Sequence, residues 1–193
     1  MTDELRVYFH FRSPYSRIGL HRLAQASVDE KISTRLFLLT KVADQDSFPN
    51  PGRTPARRIY LMQDVPRVTT KAGLAIQMPD PLDPPYGPAV RAFLGAEKAG
   101  RSLAFALAVS NARWGEGKNI SDEAVLAECA AQAGAPLTLA SDEEMVAAKG
   151  LSNQQIDADG VFGVPFAVLE KDGHKERFFG QDRFDLLIEQ INS

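Results

Sequence analysis

The chain has 193 residues, of which 44% are hydrophobic and 24% are charged, and its formal net charge is -3. This composition is typical of one globular domain, or of one domain with a large insertion, and excludes a disordered or collagen-like chain. The negative charge argues against general nucleic-acid binding, and no apolar run reaches the roughly 18 residues that a membrane-spanning helix needs. The N-terminus is acidic where a secretory signal is basic, so we expect a cytoplasmic protein.

One cysteine, Cys129, and three scattered histidines limit the chemistry that the chain itself can supply. A single cysteine excludes an intrachain disulfide and a metal cage built from protein thiolates. The histidines, at positions 10, 21 and 174, show no metal-ligand spacing, so we expect no metal site. Cys129 lies in an alanine-rich stretch and is interpreted as a small buried hydrophobic residue. Any thiol chemistry would therefore use the thiol of a ligand.

The first forty residues predict a strand, a helix and a second strand. Residues 5–12 alternate as a strand does, and Ser13 and Pro14 form the pairing expected of an N-cap followed by proline at the first helical position. We expect this helix to end near Ser27 and the apolar run 33–40 to form the next strand. The order strand, helix, strand predicts a parallel pair joined by a right-handed crossover.

Prolines dominate the next part of the chain, since nine of the 12 lie between Pro49 and Pro88. They break this part into short pieces. Residues 56–72 nevertheless have the pattern of a helix, which Pro66 is expected to kink or restart, with Asp64 as a fresh N-cap.

The stretch after Gly87 is rich in alanine and predicts four more helices. Gly134 should close the third of them, and a capping box at Ser141 and Glu144 should open the fourth. Together with the preceding helix, they predict a helical insertion over residues 46–159. The four helices are expected at residues 88–99, 101–113, 121–132 and from 141 onward.

The end of the chain returns to strands. Residues 166–170 and 174–179 flank the turn signal Asp172-Gly173, which predicts a β-hairpin. Residues 183–191 have the apolar period of an amphipathic helix. Strands at both ends and helices between them predict one α/β sheet that is interrupted in the middle. The two parts of this domain are expected at residues 1–45 and 160–193.

Three short segments are candidates for carrying chemistry, and the first is Ser13-Pro14-Tyr15-Ser16 at the junction of the first strand and helix. Free backbone N–H groups and the helix dipole favour an anion there, and a serine hydroxyl can donate a hydrogen bond to a thiolate that a ligand places beside it. The simpler interpretation is that Ser13 only caps the helix, which is worth about 1 kcal/mol. The segment alone leaves both interpretations open.

The second segment, residues 160–166, places a proline after two glycines and directly before a strand. A cis Val164-Pro165 bond in a tight turn would expose the N–H and C=O groups of Val164 to an extended peptide, which would pair as an added strand does. An ordinary trans proline at the start of an edge strand is the alternative, and the segment alone favours it.

The third segment, residues 180–183, precedes the last helix. Its backbone N–H groups can hold a carboxylate, and the Asp182 side chain can accept a hydrogen bond from a ligand ammonium group. The alternative is that Asp182 is an N-cap, with Asp185 in the first helical turn, and this is the stronger interpretation of the segment in isolation.

Three further features have both a functional and a structural interpretation. A basic group suits an anionic ligand, although a solvated helix face is the commoner meaning. Trp114 can wall a pocket for a flat substrate, but a lone tryptophan is more often part of the core. His10 can be an acid or a base, but on a buried strand a hydrogen-bonded structural histidine is commoner. The basic group comprises Arg53, Arg57, Arg58, Arg67 and Lys71, opposed by Asp64.

The order of the motifs resembles the 2-hydroxychromene-2-carboxylate isomerase family. The motifs are Ser-Pro-Tyr-Ser at 13–16, Val-Phe-Gly-Val-Pro at 161–165 and Phe-Gly-Gln-Asp-Arg at 179–183, and segments 55–64 and 112–117 look like the family's middle landmarks. That family belongs with kappa-class glutathione transferases and DsbA-type oxidoreductases. The resemblance covers essentially the whole chain and implies a thioredoxin-like α/β fold interrupted by a large all-helical insertion, and a homodimer.

The resemblance also implies a glutathione site. Ser13 matches the family serine that hydrogen-bonds the glutathione sulfur. Val164 and a cis Pro165 match the backbone clamp for the cysteinyl part, and Gln181 and Asp182 match the contacts to the γ-glutamyl part.

For the substrate, the resemblance implies that Arg57 attracts a carboxylate and that Trp114 flanks an aromatic ring, while Asn50 matches an asparagine near the pocket. The sequence departs from the family pattern at three positions. Many members carry a lysine at about the position of Arg57, an aspartate is common at His10, and Pro66 interrupts a helix that usually runs on.

The function that the resemblance implies is a glutathione-dependent cis-trans isomerase of 2-hydroxychromene-2-carboxylate or a similar aromatic carboxylate, acting in aromatic degradation by reversible thiolate addition. The alternatives are a kappa-like glutathione transferase or peroxidase and a non-catalytic glutathione-binding protein. A disulfide oxidoreductase is disfavoured, because Ser13 and Ser16 occupy the spacing at which that chemistry needs two cysteines.

Overall fold

The computed structural model of the protein describes residues 3–41 and 54–193. Its strands are β1 (Glu4–Phe9), β2 (Ser33–Leu38), β3 (Phe166–Lys171) and β4 (His174–Phe179). They form one mixed sheet in the order β2-β1-β3-β4. β1 runs parallel to β2 and antiparallel to β3, and β3 and β4 form an antiparallel hairpin.

Helices connect the strands and occupy the long interval between β2 and β3. They are α1 (Pro14–Gln25), α2 (Val28–Lys31), α3 (Pro55–Lys71), α4 (Gly87–Lys98), α5 (Ser102–Gly115), α6 (Glu123–Gln132), α7 (Asp142–Asp159) and α8 (Phe184–Asn192), the last preceded by a 3₁₀ turn (Gln181–Arg183). In the two described ranges, every helix is too short or too polar to cross a membrane. An α/β sheet interrupted by helices is thus confirmed, whereas domain limits at residues 45 and 160 stay predictions.

The central strand β1 is buried on both faces. Val7 and Phe9 are each at most 1% exposed and belong to the main core, which also contains residues of α1, α4 and α5. Tyr8 belongs to a second cluster and stacks on Phe37 of β2, with ring centroids 5.3 Å apart, beside Ile156 of α7. Burial on both faces fixes the end of β1, from which α1 starts.

A buried ionic cluster attaches α7 to the sheet. Asp159 is fully buried and accepts hydrogen bonds from Nε of Arg6 at 2.7 Å and from the Tyr8 hydroxyl at 2.5 Å, and Lys175 of β4 pairs with it as well. Burial alone would raise the pKa of Asp159, but these hydrogen bonds outweigh it and hold the pKa well below its usual value. The cluster therefore links β1, β4 and the end of α7.

Several predicted local signals are confirmed. Ser13 is the N-cap of α1 with proline at the first helical position, and the capping box of Ser141 and Glu144 opens α7. Asp172 and Gly173 make the hairpin turn with φ of 53° and 78°, the left-handed values that such a turn requires. The predicted parallel pair is β1 and β2.

Two local predictions are wrong. The strand predicted over 5–12 stops at Phe9, because the chain turns at Phe11 and the N–H of Ser13 bonds back to the carbonyl of His10 at 2.9 Å. Pro66 does not restart α3, which is one continuous helix, so the restart with a fresh cap is wrong, while a kink at Pro66 stays a prediction. Because Pro66 lies on an exposed side of α3, water can reach the carbonyl that loses its partner.

Asp64, predicted as a fresh cap, lies inside α3 instead. Its carboxylate accepts a hydrogen bond from the Tyr15 hydroxyl at 2.6 Å and one from Arg67 at 3.2 Å. Asp64 therefore joins α3 to the first turn of α1.

Candidate functional site

Ser13 lies in the turn between β1 and α1 and is partly exposed. Its Oγ accepts a hydrogen bond from the N–H of Ser16 at 3.1 Å, which is the capping bond. A hydroxyl can accept one bond and donate another, and no described residue accepts the proton of Ser13. That proton is therefore available to a ligand.

The first turn of α1 also offers a backbone donor. Pro14 has no N–H, and the N–H groups of Ser16 and Arg17 bond back to Ser13. The N–H of Tyr15 has no partner among the residues described. Together with the positive end of the helix dipole, this N–H and the Ser13 hydroxyl favour an anion such as a thiolate.

The Val164-Pro165 peptide bond is cis and leads directly into β3. The last residue pair of β1 and β3 is Tyr8 with Phe166, so Val164 lies two residues before the paired part of β3, at the end of the sheet where β1 leads into the turn before Ser13. Within the described ranges neither the N–H nor the C=O of Val164 forms a hydrogen bond, so an extended peptide can pair with both. The alternative of a trans proline on an edge strand is wrong, because β3 lies inside the sheet.

One side of α1 touches the other two segments. A Cβ added to Gly19 would lie 3.3 Å from Pro165, so α1 packs against the start of β3. The N–H of Gly180 donates to the carbonyl of Pro165 at 3.0 Å, and the Arg22 guanidinium donates to the carbonyl of Gln181. Three segments that are far apart in the sequence thus converge along α1.

The third segment is a 3₁₀ turn, and the alternative that Asp182 caps α8 is wrong. Asp182 lies within the turn, makes no capping bond and pairs with Arg183 at 2.8 Å, with 61% of its side chain exposed. The N–H groups of Gln181 and Asp182 bond to no described residue. These donors are open to a carboxylate, and the Asp182 carboxylate is open to an ammonium group.

His10 is neutral at physiological pH. Burial, assisted by the charges of Arg12 and Arg113, lowers the pKa of His10 to about 4. Its Nδ1 accepts a hydrogen bond from the N–H of Arg12 at 3.0 Å, so the ring carries its proton on Nε2. These contacts favour the structural interpretation of His10 over that of an acid or base working near pH 7.

Trp114 positions the turn that precedes Ser13. It is only 9% exposed, and its Nε1–H donates to the carbonyl of Phe11 at 3.0 Å. The guanidinium carbon of Arg113 lies 4.9 Å from the centroid of the indole ring. Contact between Trp114 and a substrate ring stays a prediction.

Arg57 lies in the exposed first turn of α3 and pairs with no carboxylate among the described residues. Its charge nevertheless acts on the Tyr15 hydroxyl. Burial and the bond to Asp64 raise the pKa of that hydroxyl, and Arg57 opposes the rise. Its role toward a substrate stays a prediction, and Asn50 and Arg53 lie outside the described residues.

Cys129 is buried in α6, as its alanine-rich context predicts. Burial raises the pKa of its thiol to about 12, so the thiolate is negligible at neutral pH. The chain therefore presents no reactive thiol of its own.

Sequence reasoning did not single out two arginines near the turn. Arg12 directly precedes Ser13, and the fully buried Arg113 precedes Trp114. The only sequence signal for Arg113 was its place in the landmark 112–117, because its neighbours come from parts of the chain that no local pattern connects.

The whole chain matches one known domain family. A family model described as a DSBA-like thioredoxin domain matches residues 4–192. Among curated proteins, none matches this sequence significantly.

Solved structures show the same fold at low identity. A 2-hydroxychromene-2-carboxylate isomerase is 22% identical with a TM-score of 0.75, over 98% of this chain and 94% of that one. The cytosolic disulfide reductase DsbM from Pseudomonas aeruginosa, solved with GSH, is 17% identical with a TM-score of 0.67, over 98% and 100%. A periplasmic thioredoxin-like protein from Salmonella enterica serovar Typhimurium is 15% identical with a TM-score of 0.52, over 99% and 85%.

Proposed function

Because the chain belongs to the family of DsbA-like thioredoxin domains, we propose that it binds glutathione at the start of α1 and uses it to isomerise an aromatic carboxylate such as 2-hydroxychromene-2-carboxylate. The observation that carries the proposal is Ser13. Its hydroxyl and the N–H of Tyr15, which has no partner among the described residues, both belong to the start of α1, in a chain whose only cysteine is buried. Because the chain has no exposed thiol of its own, the thiolate that would bind at the start of α1 must come from a ligand. A cytoplasmic homodimer that acts in aromatic degradation belongs to the same proposal.

The residues present fit two parts of glutathione, the cysteinyl part and the γ-glutamyl part. The unpaired N–H and C=O of Val164 suit the cysteinyl backbone, and the Ser13 hydroxyl suits the sulfur. The N–H groups of Gln181 and Asp182 suit the γ-glutamyl carboxylate, and the exposed Asp182 carboxylate suits its ammonium group. A structurally similar protein, the disulfide reductase DsbM, was solved with GSH, and this supports the choice of ligand.

The chemistry supplied by glutathione is reversible addition of a thiolate to a conjugated carbon, which permits rotation about the former double bond and then restores the thiolate. The protein keeps the sulfur ionised. The Ser13 hydroxyl and the N–H of Tyr15 donate hydrogen bonds to the anion, and the α1 dipole lowers the thiol pKa from about 8.5. No electrons are exchanged overall, so the thiol is recycled.

Replacement of Ser13 tests the proposal, with Ser141→Ala as the matched control. Both serines cap a helix, so each alanine should cost about 1 kcal/mol of stability. Only Ser13→Ala removes the donor to the sulfur, and we expect it to lower isomerase turnover about 100-fold. An absorbance assay on the hydroxychromene carboxylate and calorimetric titration with glutathione measure both effects.

The same assay separates the alternatives. Consumption of glutathione would identify a kappa-like transferase, and binding without turnover would identify a non-catalytic binding protein. Absence of glutathione binding by the unmodified protein at millimolar concentration, or equal turnover in the Ser13 and Ser141 variants, would overturn the proposal.

A further inference from the structure

Arg12 holds a defined place next to the proposed sulfur site. Its backbone is fixed on both sides, because its own N–H donates to Nδ1 of His10 at 3.0 Å and the following N–H, of Ser13, donates to the His10 carbonyl at 2.9 Å. Its side chain is 49% exposed. The residue directly before the N-cap of α1 therefore presents a guanidinium that solvent can reach.

The carboxylate that holds Arg12 is exchangeable. Asp83 lies 2.8 Å from Nη2 of Arg12 and is itself 49% exposed. Exposed ion pairs of this kind contribute little to stability, because water screens them and both side chains lose freedom. A ligand carboxylate can therefore replace Asp83 at small cost.

Behind this pair lies a second guanidinium that is only partly satisfied. Arg113 is fully buried, and its Nη2 donates to the Leu82 carbonyl at 2.6 Å and to the Tyr86 hydroxyl at 3.0 Å. Its Nε and Nη1 have no hydrogen-bond partner among the residues that the structure describes. No carboxylate of the described residues contacts Arg113, and Asp83 is connected to it only through the Tyr86 hydroxyl, which donates to Asp83 at 2.8 Å.

The local charge is therefore incompletely balanced. Among the described residues, Asp83 is the only carboxylate linked to either guanidinium group: it pairs with Arg12 directly and is connected to Arg113 through the Tyr86 hydroxyl, and the neighbouring His10 is neutral. A buried cation with unsatisfied N–H groups favours an additional anion close by. The exposed position of Arg12 is where such an anion can arrive from solvent.

We propose that Arg12, with the buried Arg113 behind it, forms a binding site for an organic carboxylate beside Ser13. This inference rests on the proposed function for its setting, and it gives Arg12 the kind of role, binding a carboxylate, that the family resemblance gives Arg57 toward the substrate. The carboxylate belongs to the substrate or to the glycine of glutathione, which have the same recognition chemistry.

The first experiment compares cinnamate with cinnamamide, two probes that differ in the carboxylate alone, by ligand-observed NMR titration. It is run with and without glutathione. We expect Arg12→Gln to lower the affinity for cinnamate about 10-fold and to leave the affinity for cinnamamide unchanged. Asp83→Asn removes the competing carboxylate and should raise the affinity for cinnamate about 3-fold.

Two arginine variants serve as comparisons. Arg101→Gln, an exposed position before α5, is the matched control and should not change the affinity for cinnamate. Arg57→Gln tests the rival assignment. A loss of cinnamate affinity in the Arg57 variant and not in the Arg12 variant would overturn the inference.

The second experiment identifies the source of the carboxylate. Glutathione and γ-glutamylcysteine, which lacks the glycine, are titrated by calorimetry into the unmodified protein and Arg12→Gln. Weaker binding of glutathione alone in the variant supports the glycine carboxylate, and weaker binding of cinnamate supports the substrate. If Arg12→Gln changes neither, the inference is wrong. Failure of glutathione to bind the unmodified protein contradicts the proposed function only, because cinnamate titration without glutathione still tests the carboxylate site.

Discussion

At the scale of single residues, Ser13 combines two roles that the sequence presented as alternatives. Its oxygen accepts the capping bond from Ser16, while its proton is left for another acceptor. The capping bond holds the Ser13 oxygen at the start of α1, so the position of the donor is set before a ligand arrives. A stabilising role and a ligand-binding role are therefore compatible in one hydroxyl.

His10 should make stability depend on pH. Its pKa is about 4 in the folded chain, against about 6.5 when unfolded. Between these two pKa values the unfolded chain binds a proton at His10 and the folded chain does not. The free energy of unfolding is therefore highest above about pH 6.5 and falls by about 3 kcal/mol as the pH drops toward 4. Urea unfolding of the unmodified protein and of His10→Gln is measured at about pH 7.5 and at about pH 5, where about 2 kcal/mol of this loss should have developed.

The variant should lose much less stability than the unmodified protein over that interval. His21, whose pKa burial also lowers, contributes to the remaining slope. Equal slopes in the two proteins, or an NMR titration that places the His10 pKa near 6.5, would contradict the structural interpretation of this histidine.

At the scale of elements, local signals predicted the starts and turns well. Ser13-Pro14, the capping box of α7 and Asp172-Gly173 each act through neighbours within a few residues, so the sequence contains the whole cause. The end of β1 and the continuity of α3 through Pro66 were not predicted. Both depend on tertiary surroundings, namely the Trp114 bond to the Phe11 carbonyl and the solvent exposure of Pro66.

Gly95 should be the least replaceable glycine of the helical insertion. It lies in α4, and a Cβ there would collide with the backbone carbonyl of Thr138, which cannot move as a side chain can. We expect Gly95→Ala to lower the free energy of unfolding by about 3 kcal/mol. In contrast, Gly150 of α7 faces open space, and Gly150→Ala should stabilise the protein by about 0.5–1 kcal/mol. Denaturant unfolding of both variants is the measurement, and equal effects of the two would be inconsistent with this packing of α4.

At the scale of the whole molecule, the site is assembled by the sheet. Residues near 13, 164 and 181 are brought together because β1 pairs with β3 and α1 packs on the segment before α8. The order of these segments was sufficient to predict a DsbA-like thioredoxin domain and its fold. The sequence did not predict that Arg12 and Arg113 are both connected to Asp83. Asp83 lies about 70 residues from Arg12 in the chain, and Tyr86, which connects Asp83 to Arg113, lies about 30 residues from Arg113.

Glutathione should stabilise the entire chain if it binds the folded state alone. At 100 times its dissociation constant it adds about 2.7 kcal/mol, which for a domain of this size raises Tm by about 5–10 °C. The shift should grow as the pH rises through the thiol pKa of bound glutathione, since the site favours the thiolate. S-methylglutathione, whose sulfur carries a methyl group and cannot form a thiolate, is the control. A shift of equal size for both peptides at every pH would show that the thiolate is not what the site binds.

Trp114 is the only tryptophan of the chain, and its indole N–H is bound to the Phe11 carbonyl two residues before Ser13. At about 295 nm, indole is the only side-chain group that absorbs appreciably. Fluorescence excited at this wavelength therefore originates from this one ring. The fold thus places its one intrinsic fluorophore against the turn that leads into α1, so a change in the emission of unlabelled protein reports on that turn.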